Sequence, residues 1–166
     1  MVDRKKELRK KIASAKRKHS IEKLELLSES VIGNLTQLDL YKEAKVILLY
    51  YSMPDEVNTK VLITSSELTK QVILPVVTKE GLILKSYNPS IDLTKSSYGI
   101  MEPSGDVYDN FEEIDLVIVP GVAFDASLNR MGRGMGYYDG LLPKIDAPKV
   151  GICFDFQLVN SVPVDN

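Results

Sequence analysis

The stretch "KVILLYYS", residues 45–52, is an unbroken run of apolar, β-forming residues. A strand with one wet face alternates apolar with polar, whereas a strand covered on both faces reads as continuously apolar, so this segment predicts an inner strand of a mainly parallel sheet. Similar short runs recur at "QVILPVV" (71–77), "DLVIVP" (115–120) and "KVGICF" (149–154). "LILKSY" (82–87) follows a turn at Glu80-Gly81 and is expected to pair antiparallel. Residues 56–70 have the length and polarity of a crossover helix, and a further helix is expected over 136–142. Upstream, residues 3–18 place Leu8, Ile12 and Ala15 at helical spacing with Asp3 available as a cap. Residues 20–38 carry Ile21, Leu24, Leu27, Val31 and Leu35 on one stripe, with Glu22 near the start, where the helix dipole favours negative charge. Strands alternating with helices predict one α/β domain over 1–166, Rossmann-like and three-layered, with helices on both faces of a mainly parallel sheet. Residues 88–110, rich in Pro, Ser, Gly and Asp, read as a long loop or flap.

The 166 residues are 44% hydrophobic and 27% charged, which suits one core of useful size. A formal net charge of -2 offers no global field for nucleic acid or for an anionic membrane surface, so any basic site must be local. The single cysteine, Cys153, excludes an internal disulfide framework, and no cluster of Cys and His has zinc spacing. The apolar runs are too short to cross a bilayer and the N-terminus is charged, so the expectation is a cytoplasmic protein without signal peptide, membrane or nucleic-acid partner; a monomer is expected, although the sequence does not fix the oligomeric state.

In open α/β sheets, ligands lie outside the carboxyl ends of the strands. Two loops there have unusual chemistry: "YSMPDEVNT" (51–59) and "PGVAFDASLNRMGRGMGYYDG" (120–140). In the second, Gly132, Gly134 and Gly136 remove the Cβ atoms that would hold the backbone away from a ligand or forbid positive φ. Backbone amides can then face an anion, a helix starting near Gly136 would add its dipole, and Arg130 and Arg133 bring guanidinium donors suited to phosphate oxygens. Asp139 could hold magnesium, which usually takes one or two carboxylates and completes its shell with phosphate oxygens and water. The stretch is neither a G-x-x-x-x-G-K-[ST] loop nor a G-x-G-x-x-G directly after a strand, and a glycine-rich hairpin packed on Tyr137 and Tyr138 is the bland alternative.

Lys5 and Arg9, four residues apart, share a helix face that is either a solvated surface or, if packed beside the glycine loop, part of the same site. Glu56 can bind the polar edge of a ring or serve as a helix-start acid. Of Tyr50 and Tyr51, one ring is expected in the core and one facing out, able to stack on a planar ligand. His19, the one histidine, is expected to be exposed and inert, which argues against Ser-His-Asp or Cys-His chemistry. Cys153 reads as a core residue.

With "KKELRKKI", "YSMPDEVNT" and "PGVAFDASLNRMGRGMGYYDGLL" in this order, the chain resembles the 5-formyltetrahydrofolate cyclo-ligase family. The resemblance runs from about Lys5 to the end. It implies ATP-dependent conversion of 5-formyltetrahydrofolate to 5,10-methenyltetrahydrofolate, with ADP and phosphate released and Mg2+ required. By position it implies ATP contacts from Lys5, Arg9 and Arg130, Met131, Gly132, Arg133, Gly134, Met135, Gly136, Tyr137 and Tyr138. It implies folate contacts from Arg9, Tyr51 and Glu56, catalytic roles for Arg130 and Tyr138, and a magnesium ligand in Asp139. The chain departs from the pattern at Met135, where many relatives carry Lys, and it stops at "SVPVDN", ahead of a His-Asp pair and short final strand that the family is expected to have. A non-catalytic nucleotide- or folate-binding protein on the same scaffold is the alternative.

Overall fold

The structure, a computed structural model, describes residues 2–164 apart from 67–68, 91–92 and 98, with side chains from residue 4 onward. Its centre is a five-stranded sheet. In chain order the elements leading into it are α1 (Val2–Lys16), α2 (Ile21–Gln37), α3 (Asp39–Glu43), β1 (Val46–Leu48), α4 (Lys60–Ser66), β2 (Gln71–Thr78) and β3 (Gly81–Ser86). A small hairpin, β4 (Leu93–Lys95) and β5 (Met101–Pro103), precedes β6 (Leu116–Val119). Then come β7 (Ala123–Asp125), β8 (Arg130–Met131), α5 (Tyr137–Leu141), β9 (Lys149–Gly151) and β10 (Leu158–Val159). The central order is β3-β2-β1-β6-β9, parallel throughout except for β3, which pairs antiparallel with β2.

The central position of β1 explains its unbroken apolar sequence. Ile47 and Leu49, both 0% exposed, join Ile32 and Leu35 of α2, Tyr41 of α3 and Leu62 and Ile63 of α4 on one face. Leu48, 1% exposed, joins Ile73, Val117, Leu141 and Ile145 on the other. The ladder is shorter than the run: Leu49 N–H still donates to Ile73 O, but from Tyr50 onward the chain bonds to its own loop. There Tyr50 O accepts from the Thr59 hydroxyl, and the Ser52 hydroxyl accepts from Thr59 N–H.

Both long N-terminal helices form where expected. Helix α2 is capped by the Ser20 hydroxyl, which accepts from Lys23 N–H. Its buried side is Ser28, Ile32 and Leu35, and Ile21 of the expected stripe is exposed because it sits in the first turn, before the helix reaches the sheet. Helix α1 begins at Val2, so Asp3 lies within its first turn and not at the cap position expected of it.

Three expectations are corrected. The segment 88–110 is not wholly loop: β4 and β5 form a hairpin that docks on the sheet where the buried Glu102 carboxylate accepts from Val77 N–H at 2.9 Å. Strand β9 ends at Gly151, leaving Cys153 half-buried beyond the ladder while Ile152 and Phe154 on either side fill the core; burial pushes its thiol pKa up. His19 is half-buried, its ring 5.0 Å from that of Phe156 and its Nδ1–H donating to Ala15 O, because the turn after α1 folds back onto the segment following β9.

Candidate active site

One cavity of about 620 Å³ opens at the carboxyl end of the sheet. It collects Lys5, Arg9, Tyr51, Glu56 and the whole of 130–139, so three segments far apart in sequence meet on one space.

Lys5 and Arg9 of α1 reach it because they share a helix face with Leu8 and Ile12, and that face is packed against the base of the loop. Ile12 is buried with Ala123, Met131 and Val162, and Leu8 leans on the same cluster. One turn apart on that helix, Lys5 and Arg9 then face the glycine loop. The Arg9 Nε–H donates to Gly132 O at 3.0 Å, so the helix holds the loop as well as contributing charge.

The loop itself starts from β8, which pairs antiparallel with β7. The turn between them is fastened by Asp125, 5% exposed, whose oxygens accept from Ser127 N–H, Asn129 N–H, the Asn129 amide and Val162 N–H. The bond from Val162 N–H leads the causes that hold this carboxyl below the usual range. The alternating glycines have different tasks. Gly134 and Gly136 sit at φ +104 and +71, where an L side chain is strained. Gly132 has no such φ; a Cβ there would lie 3.0 Å from a guanidinium nitrogen of Arg130. The helix after Gly136 spans only five residues, so its dipole adds less than a long helix would.

The charged side chains are engaged with one another. Arg130 donates to Asp139 Oδ1 at 2.6 Å and to Pro120 O at 3.3 Å, with its guanidinium 5.6 Å from the centre of the Tyr138 ring. Arg133 donates to Asp55 at 2.7 Å and to Glu56 at 3.0 Å, and Lys16 reaches the other Asp55 oxygen at 3.2 Å. Burial pushes the Asp55 carboxyl up, but the Arg133 hydrogen bond and the Lys16 and Arg133 charges outweigh it and hold it below the ordinary range. Glu56 keeps its second oxygen on Met53 N–H at 2.9 Å. Burial, helped by the Glu56 charge, raises the Tyr138 hydroxyl far above its ordinary value, so it is a neutral donor and not a base. The tyrosine pair divides as expected: Tyr50 is 4% exposed with its hydroxyl on Val57 O, while Tyr51 is half-buried at the cavity. His19 and Cys153 lie outside the cavity wall.

A second wall carries no sequence signal. It consists of Pro75 and Val77 of β2, Leu82 of β3, and Ile100 and Glu102 at the hairpin. These residues carry no motif, and only strand pairing brings them together. Asp55 was also passed over, although it precedes Glu56 and binds the same arginine. Among the described residues, no group of three or more His, Cys, Asp or Glu side chains could by itself hold a metal ion, and no helix is long and apolar enough to cross a membrane.

The chain is similar to known proteins in sequence and fold. A sequence profile described as the 5-formyltetrahydrofolate cyclo-ligase family matches residues 1–166. The 5-formyltetrahydrofolate cyclo-ligase of Haemophilus influenzae is 34% identical over 147 residues, covering 83% of this chain and 79% of that protein. A probable 5-formyltetrahydrofolate cyclo-ligase of Schizosaccharomyces pombe is 32% identical over 158 residues, with 83% and 78% coverage. The solved structure of Aquifex aeolicus 5,10-methenyltetrahydrofolate synthetase superposes with a TM-score of 0.86 at 38% identity, over 98% of this chain and 84% of that one. Family profile, relatives and structural match agree, and the chain belongs to the 5-formyltetrahydrofolate cyclo-ligase family.

Proposed function

We propose that this chain converts 5-formyltetrahydrofolate and ATP to 5,10-methenyltetrahydrofolate, ADP and phosphate within this cavity. The observation that carries the reading is the convergence of Arg9, Arg130, Arg133 and a loop with two positive-φ glycines on a space that also holds Glu56 and the exposed edge of Tyr51. A formamide oxygen is a poor leaving group. Transfer of the γ-phosphoryl group to that oxygen makes the formyl carbon electrophilic; the folate N10 lone pair attacks it, the N10 proton departs, and the C–O bond breaks to release phosphate. Such a reaction depends chiefly on positioning and on neutralising phosphate charge.

The roles follow from reach. Lys5, Arg9, Arg130 and the amides of 132–136 take the ATP phosphates, alongside Met131, Met135, Tyr137 and Tyr138. Arg130 stabilises the transferred group, and Tyr138, held neutral, donates to it. Tyr51 stacks on the pterin, Glu56 accepts from its 2-amino and N3–H edge, and Arg9 lies between nucleotide and folate. Magnesium fits as an ion shared with the phosphates, since Asp139 is exposed at 74% of its side chain and stands beside Arg130. Bound there, it would neutralise phosphate charge. We also read the fold as a single Rossmann-like three-layer domain, supported by the two apolar clusters on opposite sheet faces. We further read the protein as a cytoplasmic monomer.

The test is to follow the methenyl chromophore with purified protein, 5-formyltetrahydrofolate, ATP and magnesium, omitting each component in turn. Signal that needs all three supports the reaction. Binding of ATP or folate without turnover would replace it with a binding role, which Met135 in the lysine position of the family pattern favours.

A further inference from the structure

We infer that Glu102 is a second folate-reading carboxylate, accepting the N8–H of the pterin ring; the inference rests on the reaction proposed above. Glu102 lies on β5, opposite Thr94 of β4, and is 8% exposed. It lines the cavity on the wall formed by Pro75, Val77, Leu82 and Ile100. One of its oxygens, Oε1, accepts from Val77 N–H. Among the described residues, no donor reaches the other oxygen, Oε2.

A half-satisfied carboxylate in this setting is costly. Burying a charge without filling its acceptor positions forfeits hydration that nothing replaces. Docking the hairpin on β2 requires only an acceptor for Val77 N–H, and a neutral amide would supply one. The charge and the second oxygen are therefore surplus to the fold and face a space built for a ligand. The occupant must bring an N–H donor on a flat, largely apolar body, because every neighbour of Glu102 on that wall is apolar. A reduced pterin has this character. Its 2-amino and N3–H edge is matched by Glu56, leaving N8–H as the remaining donor of the ring, and a carboxylate on a separate element suits a donor pointing in a different direction.

Glu102→Gln separates the two roles of the side chain. Its amide oxygen can keep the Val77 bond, while an NH2 group replaces the free acceptor and confronts N8–H donor to donor. The expected result is a thermal midpoint close to that of the unaltered chain, a rise of about tenfold or more in KM for 5-formyltetrahydrofolate, and an unchanged KM for ATP. A second measurement needs no variant: the unaltered chain should bind 5-formyl-8-deazatetrahydrofolate, which lacks N8–H, about tenfold more weakly than the parent folate. Unchanged folate dependence in the variant, a shift confined to ATP, or equal binding of the two folates by the unaltered chain would each overturn the role of Glu102 while leaving the reaction standing. Absence of methenyl formation and folate binding in the unaltered chain would instead remove the reaction and this inference together.

Discussion

The two walls of the cavity are built on opposite plans. The loop wall is nearly continuous in sequence, 130–139, polar, and held by ion pairs that each have at least one well-exposed member: Asp139 opposite a mostly buried Arg130, and Arg133 with Asp55 and Glu56. The strand wall draws Pro75, Val77, Leu82, Ile100 and Glu102 from β2, β3 and the hairpin, and its one polar group is buried. Exposed charges are screened and mutually exchangeable, so the loop can trade protein partners for phosphate oxygens at small cost. Apolar strand surface cannot rearrange in this way, and it fixes the shape of the space. Under the proposed function, the loop wall would handle phosphate and the strand wall would shape the space for the flat substrate, beside Tyr51 and Glu56.

The largest break in that contrast should come from Arg130. Arg130→Ala removes the donor proposed to face the transferred phosphoryl group and also releases Asp139 and the Pro120 carbonyl. Loss of a preorganised donor of this kind costs roughly 10²–10³ in turnover. Initial rates of methenyl formation at saturating folate measure it, and near-normal rates would take Arg130 out of the mechanism. Gly134→Val ranks next. At φ +104, with the Arg9 guanidinium 3.4 Å from where a Cβ would stand, the substitution strains the backbone by about 1–3 kcal/mol and displaces the arginine. Its signature is a raised KM for ATP with less effect on folate; an equal rise in both would blur the division between the walls.

The strand wall is tested by Leu82→Ala. Leu82 is half-buried, so removing three carbons from contact with a bound pterin should weaken folate binding by somewhat less than full burial implies, about three- to tenfold. ATP affinity should not move. Met135→Lys probes the loop in the constructive direction. Met135 is 59% exposed at the cavity, and a lysine there adds a cation near the phosphates without disturbing the core. ATP affinity should rise only a few-fold, and the gain should fade with added salt. A salt-independent gain would mean that the new side chain acts by packing.

The same contrast explains what could be read from residue order. The loop wall was legible because its chemistry is local: glycines and arginines at fixed spacing carry the backbone freedom and the charge together. Lys5 and Arg9 were readable as a face, but their place beside the loop depended on Ile12 packing against Ala123, Met131 and Val162, a long-range fact. The inner strand was legible from 45–52, yet its early end was not, since the Thr59 hydroxyl draws the chain out of the ladder. Glu102 left no local trace. It lies in a stretch whose Pro, Ser, Gly and Asp content suggested loop, and its burial comes from a hairpin docking on β2.

The smallest expected effect concerns Asp55, which joins Lys16 of α1 to Arg133 of the loop, with Glu56 on the same arginine. Its carboxyl pKa is depressed in the folded chain, so the folded state gives up this charge less readily than the unfolded one. The associated stability is therefore present above the ordinary aspartate value of about 3.9 and is lost as pH falls through the lower, folded value. The Arg133–Asp55 pair is half solvated and is worth roughly a few tenths of a kcal/mol to 1 kcal/mol, while the nearly buried Lys16 holds the other oxygen. Asp55→Asn should accordingly lower the thermal midpoint slightly at neutral pH, with the two curves converging below about pH 3.9. Arg133 would remain on Glu56, so folate binding should change little. Curves that stay parallel into acid would show that Asp55 acts through packing or hydrogen bonding, and the loop wall would then be less exchangeable than its exposure implies.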